Sequence, residues 1–226
     1  MNDLISEELA KARELRFLDY TKKKASLRYR MQGLAHSDKE WFNVLKALNF
    51  GESHHPGYRK DHITPAYMHQ VEIACHVMTL LPHLLFPTRT ILAILLHDTP
   101  EDTPVSHEEI RDKFGMEAMV DIELMTKEYR GDKKDIVSYF FEMSQSPVSS
   151  IGKGGDRIMN LNSMAGVFPL AKQISYCEET RTHFFKMLKT ARRLFPEQEL
   201  AYENLKFTMT AQLRIFESAN AQNIAA

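Results

Sequence analysis

Ile91-Leu92-Ala93-Ile94-Leu95-Leu96-His97-Asp98-Thr99-Pro100-Glu101-Asp102-Thr103 is the most informative stretch of this chain. An unbroken apolar run delivers two adjacent metal-ligand side chains at its C-terminal end, and a second acidic pair follows three residues after Asp98. Imidazole nitrogen with carboxylate oxygen is a mixed donor set that suits Mn²⁺, Fe or Zn²⁺. An ion held this way can lower the pKa of bound water enough to supply hydroxide near neutral pH.

Outward from this stretch nearly every periodic segment repeats at 3.6 residues. Residues 4 to 31 read as a long amphipathic helix ending near Gly33, with Lys22-Lys23-Lys24, Arg28 and Arg30 on a solvated face. Ser37 and Glu40 read as a capping box for a helix carrying Trp41, Leu45 and Leu48. Phe50 to Ile63 reads as a loop, and Thr64-Pro65 as the cap and first turn of a helix running to about Leu81. Thr88 opens the helix that ends near His97, and Ser106 with Glu109 caps the next, punctuated by Gly115. Further helices are expected over 115–127, 132–145, 156–165, 170–194 and 197–218. Val148 to Gly155 is short, Gly-rich and basic at Lys153, and leads straight into Asp156. With no strand alternation, internal repeat or low-complexity tract, the expected fold is all-α: a single helical-bundle domain over residues 1–226.

Composition narrows the function classes. Hydrophobic residues at 43% and charged residues at 26% are those of an ordinary globular protein. A net charge of −1 gives no global electrostatic case for nucleic-acid or membrane partners, though a local basic cluster can still attract phosphate. No stretch approaches the 18 or so apolar residues of a membrane span, and Met1 to Ala10 is acidic and amphipathic, unlike a secretory signal. Cys75 and Cys177 sit in apolar helical patterns and read as core residues, so a reducing cytoplasm is expected. Met164, Met187 and Met209 read as core filler.

A chelating site needs ligands that converge from several helices. His69 lies on the helix after Thr64-Pro65, and His97 and Asp98 end the next. Asp156 opens a later helix. Two imidazoles and two carboxylates leave positions open for water and a phosphate oxygen, as a catalytic site requires. His76 and the His54-His55 pair are competitors for the imidazole positions.

His69, the run Leu-Leu-His97-Asp98-Thr-Pro-Glu101-Asp102-Thr103, and Asp156-Arg157-Ile-Met-Asn160-Leu-Asn-Ser163 together resemble the HD-type hydrolase domain of the RelA/SpoT family. Phe114-Gly115 and Thr126-Lys127 extend the resemblance, which runs from roughly Tyr58 to Ala165. Family-like positions fill about 50–195, with helical extensions on either side. The resemblance is to a stand-alone small alarmone hydrolase, removing the 3′-pyrophosphate of ppGpp and pppGpp in the stringent response. It implies His69, His97, Asp98 and Asp156 as ligands of one Mn²⁺, and Glu101 and Asp102 as the acidic pair for water activation and proton transfer. It implies nucleotide contacts at Asn160 and Ser163.

Upstream the chain departs from the family. Arg59-Lys60 matches a basic pair that would bind substrate, but Asp61 to Met68 replaces the usual segment before the first metal histidine. Arg stacks on bases and Lys acts as a point charge towards phosphate, so both roles fit. Asp61 and His62 can remake that pocket, and nucleotide identity stays open at this point. One alternative is a phosphohydrolase acting on another phosphorylated nucleotide such as NADPH. The other is a non-catalytic nucleotide-binding HD protein, against which the intact Glu101-Asp102 pair counts.

Overall fold

The computed structural model describes residues 2–224, with side chains from 7 to 219. The expected character of residues 1–10 therefore lies largely outside the described side chains. The helices are α1 (Asn2–Leu34), α2 (Trp41–His54), α3 (Met68–Val77), α4 (Pro87–Leu96), α5 (Thr99–Asp102) and α6 (His107–Phe114). They continue with α7 (Met116–Met125), α8 (Ile136–Ser144), α9 (Pro147–Met164), α10 (Leu170–Glu179), α11 (Phe185–Leu194) and α12 (Glu199–Ile224). The fold is all-α as expected, with a hairpin of β1 (Glu128–Tyr129) and β2 (Asp132–Lys133) that the sequence reading lacked. Arg130 at φ 52° and Gly131 at φ 91° close it as a two-residue turn. Among the described residues no helix is long and apolar enough to cross a membrane.

α4 forms the centre because its side chains are apolar all round from Ile91 onward; every residue from Thr90 to Leu96 is buried. α2, α3, α7 and α9 surround it. Buried residues from Tyr20 to Leu213 make one continuous apolar cluster, which includes Met164, Met187 and Met209. Both cysteines are free, Cys177 buried and Cys75 half-buried.

Several boundaries move. Helix α2 runs on to His54, so the loop begins at His55 rather than Phe50. Its expected capping box is absent: the Ser37 hydroxyl donates to the Leu34 carbonyl, and Asp38 accepts from Glu40 N. Thr64-Pro65 does not start α3, because Pro65 pairs with Tyr58 in an isolated antiparallel bridge and the helix begins at Met68. At Ser106 the expected cap is present, its hydroxyl accepting from Glu109 N at 3.1 Å, with Gly115 at φ 94° ending the helix.

The largest correction concerns α9. Val148 to Gly155 is helix, and Asp156 lies in its middle. The glycines are close-approach positions: a Cβ at Gly155 would meet Ile73 Cγ2 at 2.9 Å, and one at Gly154 would meet Leu205 Cδ1 at 2.8 Å. α9 thereby packs between α3 and α12 with its own backbone near their side chains. Between α10 and α11 the helix widens into one π turn, Thr180–Phe184.

Gly51 of α2 is the tightest such approach. A Cβ there would meet the Tyr67 hydroxyl and, at 2.7 Å, the Leu95 carbonyl, breaking into the 3.0 Å bond between those two groups. Alanine gains about 1 kcal/mol in helix propensity, but overpacking costs about 1–3 kcal/mol when the obstacle is backbone. Gly51→Ala is expected to lower the urea midpoint of unfolding with an unchanged m-value; an equal or higher midpoint would refute this packing.

Candidate metal centre and its cleft

The site is assembled where α3, the C-terminal end of α4 and α9 meet. Helix α3 contributes His69 and Gln70, the end of α4 contributes His97 and Asp98, and α9 contributes Lys153, Asp156 and Asn160. His69, His97 and Asp156 are all buried. Asp156 Oδ1 stands 2.8 Å from His69 Nε2 and 3.8 Å from His97 Nε2. His69, His97 and Asp156 form a group that can hold a metal ion, one donor atom of each lying within 4.8 Å of the others. Asp98 adjoins this group, its Oδ1 at 3.0 Å from His97 Nε2 and its Oδ2 accepting from Gln70 Nε2 at 3.0 Å.

The charge balance at His97 tests whether a cation fits. His97 Nδ1 faces the Ile94 carbonyl at 2.8 Å, which leaves Nε2 turned towards the carboxylates of Asp98 and Asp156. Nε2 is buried yet makes no hydrogen bond. Burial favours the neutral ring, but the two carboxylates more than reverse this and push its pKa up to about 10. The pocket therefore calls for positive charge at Nε2, and a divalent ion bound by both imidazoles and the carboxylates would supply it. Burial holds His69 below its ordinary value, keeping it neutral and fit to donate a lone pair. Burial opposes ionisation of Asp156, yet Lys153 and the two histidines hold it well below the carboxylate range. Lys153 Nζ takes Oδ2 at 2.9 Å, so Oδ1 is left for the histidines.

A cleft of about 400 Å³ opens from this centre. Arg59, Lys60, His69, Asp98, Glu101, Asp102, Asp156, Asn160 and Ser163 all line it, while His97 lies behind them. Glu101 is fixed by Lys127 N, which donates to its Oε2 at 3.2 Å, and Lys127 is in turn held at the mouth of the hairpin by Lys134 N. Partial burial in the cleft raises the pKa of both Glu101 and Asp102, with Asp98 adding to the effect. The Asn160 amide donates to Asp156 Oδ1 at 2.6 Å, so it is engaged at the metal group, and the Ser163 hydroxyl bonds back to the Asn160 carbonyl. The competitor His76 lies apart from the cleft, where burial lowers its pKa and Asn204 contacts it; His55 lines the cleft and His54 bonds to Phe50 O.

Asp61 lines the cleft and also braces the loop beside it, where His62 lies. Asp61 accepts from Ile63 N and Thr64 N at 2.9 Å and from the Thr64 hydroxyl, tying the loop tip, and His62 adopts φ 59°. The sequence reading missed Gln70, Phe168 and Tyr176 as cleft residues, and saw Lys153 only as a basic residue in a loop. The i, i+3 spacing of Lys153 and Asp156 was the available signal.

No family model matches the chain. It is similar to a curated guanosine-3′,5′-bis(diphosphate) 3′-pyrophosphohydrolase of Aquifex aeolicus (strain VF5), 26% identical over 152 residues, or 65% of this chain. The chain spans about a fifth of that relative's length. Among solved structures it matches one described as "A metazoan ortholog of SpoT hydrolyzes ppGpp and plays a role in starvation responses". That match has a TM-score of 0.56 and 19% identity, covering 72% of this chain and 93% of the other. The likeness to the RelA/SpoT-type HD hydrolase domain thus appears in sequence and in fold.

A carboxylate beside the site gives a pH prediction. Burial opposes ionisation of Glu179, but Arg157 and Lys127, the latter at 2.9 Å, hold its pKa below the ordinary value. A depressed folded-state pKa stabilises the fold above the unfolded value and loses that contribution as pH falls through the folded one. Glu179→Gln should lower the melting temperature at neutral pH, with the difference from wild type closing as pH falls below the ordinary carboxylate range. A difference independent of pH would refute the charge assignment.

Proposed function

We propose that this chain, as one all-α HD domain, is a metal-dependent phosphohydrolase that removes the 3′-pyrophosphate of ppGpp and pppGpp. The products are GDP or GTP and pyrophosphate, the ion is Mn²⁺ and the setting is the cytoplasm. The observation that carries the reading is the unsatisfied His97 Nε2, facing Asp98 and Asp156 next to neutral His69 at the floor of a cleft of about 400 Å³. The named activities of the Aquifex relative and of the SpoT ortholog support it.

His69, His97, Asp98 and Asp156 would hold the ion, whose contribution is Lewis acidity at a phosphate oxygen and a lowered pKa for water. Gln70 and Lys153 orient two of these carboxylates through their outer oxygens. Glu101 and Asp102 stand outside the ligand group, with Glu101 held in place by the Lys127 amide. Their raised pKa values suit proton exchange nearer neutrality: one accepts the proton of the attacking water and its neighbour supplies one to the leaving 3′-oxygen. Their charges interact, so the two protons belong to the pair. Arg59 and Lys60 line the cleft and supply positive charge for the nucleotide; Lys60 Nζ sits over the Phe168 ring at 5.6 Å.

His97→Ala and Asp156→Asn are expected to lose bound metal and hydrolysis together, and elemental analysis showing full occupancy in both would overturn the ligand set. Glu101→Gln and Asp102→Asn should keep the metal while kcat falls by about 10²- to 10⁴-fold; wild-type turnover in both would remove the pair from the mechanism. Product chromatography with Mn²⁺ should give GDP and pyrophosphate from ppGpp. Phosphate release from NADPH with ppGpp left intact would overturn the substrate and leave the metal centre standing.

A further inference from the structure

Helix α1 lies outside the span that carries the motifs, yet it touches Tyr58, a residue of the cleft wall. Arg13 Nε donates to the His62 carbonyl at 2.8 Å, and its guanidinium covers the Tyr58 ring at 4.5 Å. Lys23 Nζ binds Glu72 of α3 at 2.7 Å, and Tyr20 and Lys24 both bind Glu52 of α2. These contacts fix α1 against the loop that carries Arg59 and Lys60.

Three residues beyond Arg13 on the same side of the helix, Arg16 lines a second cavity of about 300 Å³. This cavity shares Arg59, Asp61, His69, Ser163 and Val167 with the metal cleft, so the two adjoin along that wall. Its acids are already engaged: Asp61 in the turn at Thr64, and Glu72 with Lys23. Arg16 and Arg59 make no side-chain hydrogen bond or ion pair among the described residues; Arg16 is exposed, and the Arg59 charge helps to hold the Asp61 carboxyl below its ordinary value without a direct bond. Two guanidiniums without hydrogen-bonded partners, lining a cavity next to the candidate metal ligands, can make an anion site, since each offers forked donors matched to phosphate.

We infer that Arg16 of α1, with Arg59, binds the 5′-phosphates of the nucleotide while its 3′-phosphates lie at the metal group. This rests on the nucleotide reading above and deepens it: a ligand phosphorylated at both ends of its ribose needs two separate anion sites. It gives α1 a direct part in substrate selection, favouring nucleotides with a phosphorylated 5′ end.

The test is calorimetric titration of the full chain, loaded with Mn²⁺, with GDP and with inorganic pyrophosphate. GDP carries only the 5′ end, whereas pyrophosphate represents the group at the metal. Wild type, Arg16→Ala, Arg16→Lys and Lys22→Ala are compared; Lys22 is exposed on α1 away from both cavities and controls for loss of one charge. In Arg16→Ala the GDP dissociation constant should rise about tenfold, which is about 1.4 kcal/mol, with pyrophosphate binding unchanged. Arg16→Lys should recover part of the loss and Lys22→Ala should match wild type. KM for ppGpp should rise by the same factor in Arg16→Ala while kcat holds, as for lost uniform binding. Equal GDP affinity in Arg16→Ala and wild type, no GDP binding by wild type, an equal loss in Lys22→Ala, or a parallel loss of pyrophosphate binding would each overturn the assignment. If wild type leaves ppGpp intact the hydrolase reading fails, while the GDP titration still decides the subsite.

Discussion

The carboxylate of Asp156 is the group around which the structure is arranged. A buried charge is costly unless paired and hydrogen-bonded on every side, and this one is met by His69 and Asn160 at Oδ1 and by Lys153 at Oδ2. Those partners can converge only if α9 runs through the interior beside α3 and α4. The small residues Ser149, Ser150, Gly152, Gly154 and Gly155 make this possible by thinning the helix where it crosses its neighbours. Gly152 lies against Met125 and Gly155 against Ile73 and Val77, so packing and site geometry come from the same turns.

The same turns explain what a single sequence conceals. Glycine inside a helix costs about 1 kcal/mol relative to alanine, so Ile151-Gly-Lys-Gly-Gly155 reads locally as a break. The compensation is close contact with residues far along the chain, which no local window contains. Thr64-Pro65 misled for a related reason: its dipeptide chemistry suits a helix start, but the bridge to Tyr58 and the Asp61 turn claim it first. The candidate ligand residues stood out because their chemistry is local and unusual, an apolar run ending in His97-Asp98 with an acidic pair behind it. The cap at Ser106 was legible because it is satisfied within four residues.

Between Arg59 and His69 the chain departs from the pattern of the proteins it resembles, and the fold absorbs the change locally. Arg59 N donates to the Thr64 carbonyl at 2.8 Å and Ala66 N to the Gly57 carbonyl at 3.0 Å, folding the segment back on itself. The different residues thus form the closed tip of a small loop, while Arg59 and Lys60 stay on the cleft wall. Of the different residues, Asp61 and Ala66 also line the cleft, so the divergence alters both the bracing of the loop and part of the cleft wall.

The π turn at Thr180–Phe184 solves a problem of phase. Arg157, next to Asp156, is gripped by three side chains of one helical run: its guanidinium covers the Tyr176 ring at 4.6 Å and the Phe184 ring at 4.2 Å, and it pairs with Glu179. Tyr176 and Glu179 are three apart and share a face of an ordinary helix, but Glu179 and Phe184 are five apart and would diverge on one. The wider turn, with its i→i+5 bonding, brings them to the same side. It behaves as a helix that has accommodated one extra residue. A one-residue deletion within 180–183 would restore regular winding and force Arg157 to give up either its carboxylate or its second ring, so chain length in this segment is constrained as tightly as residue identity.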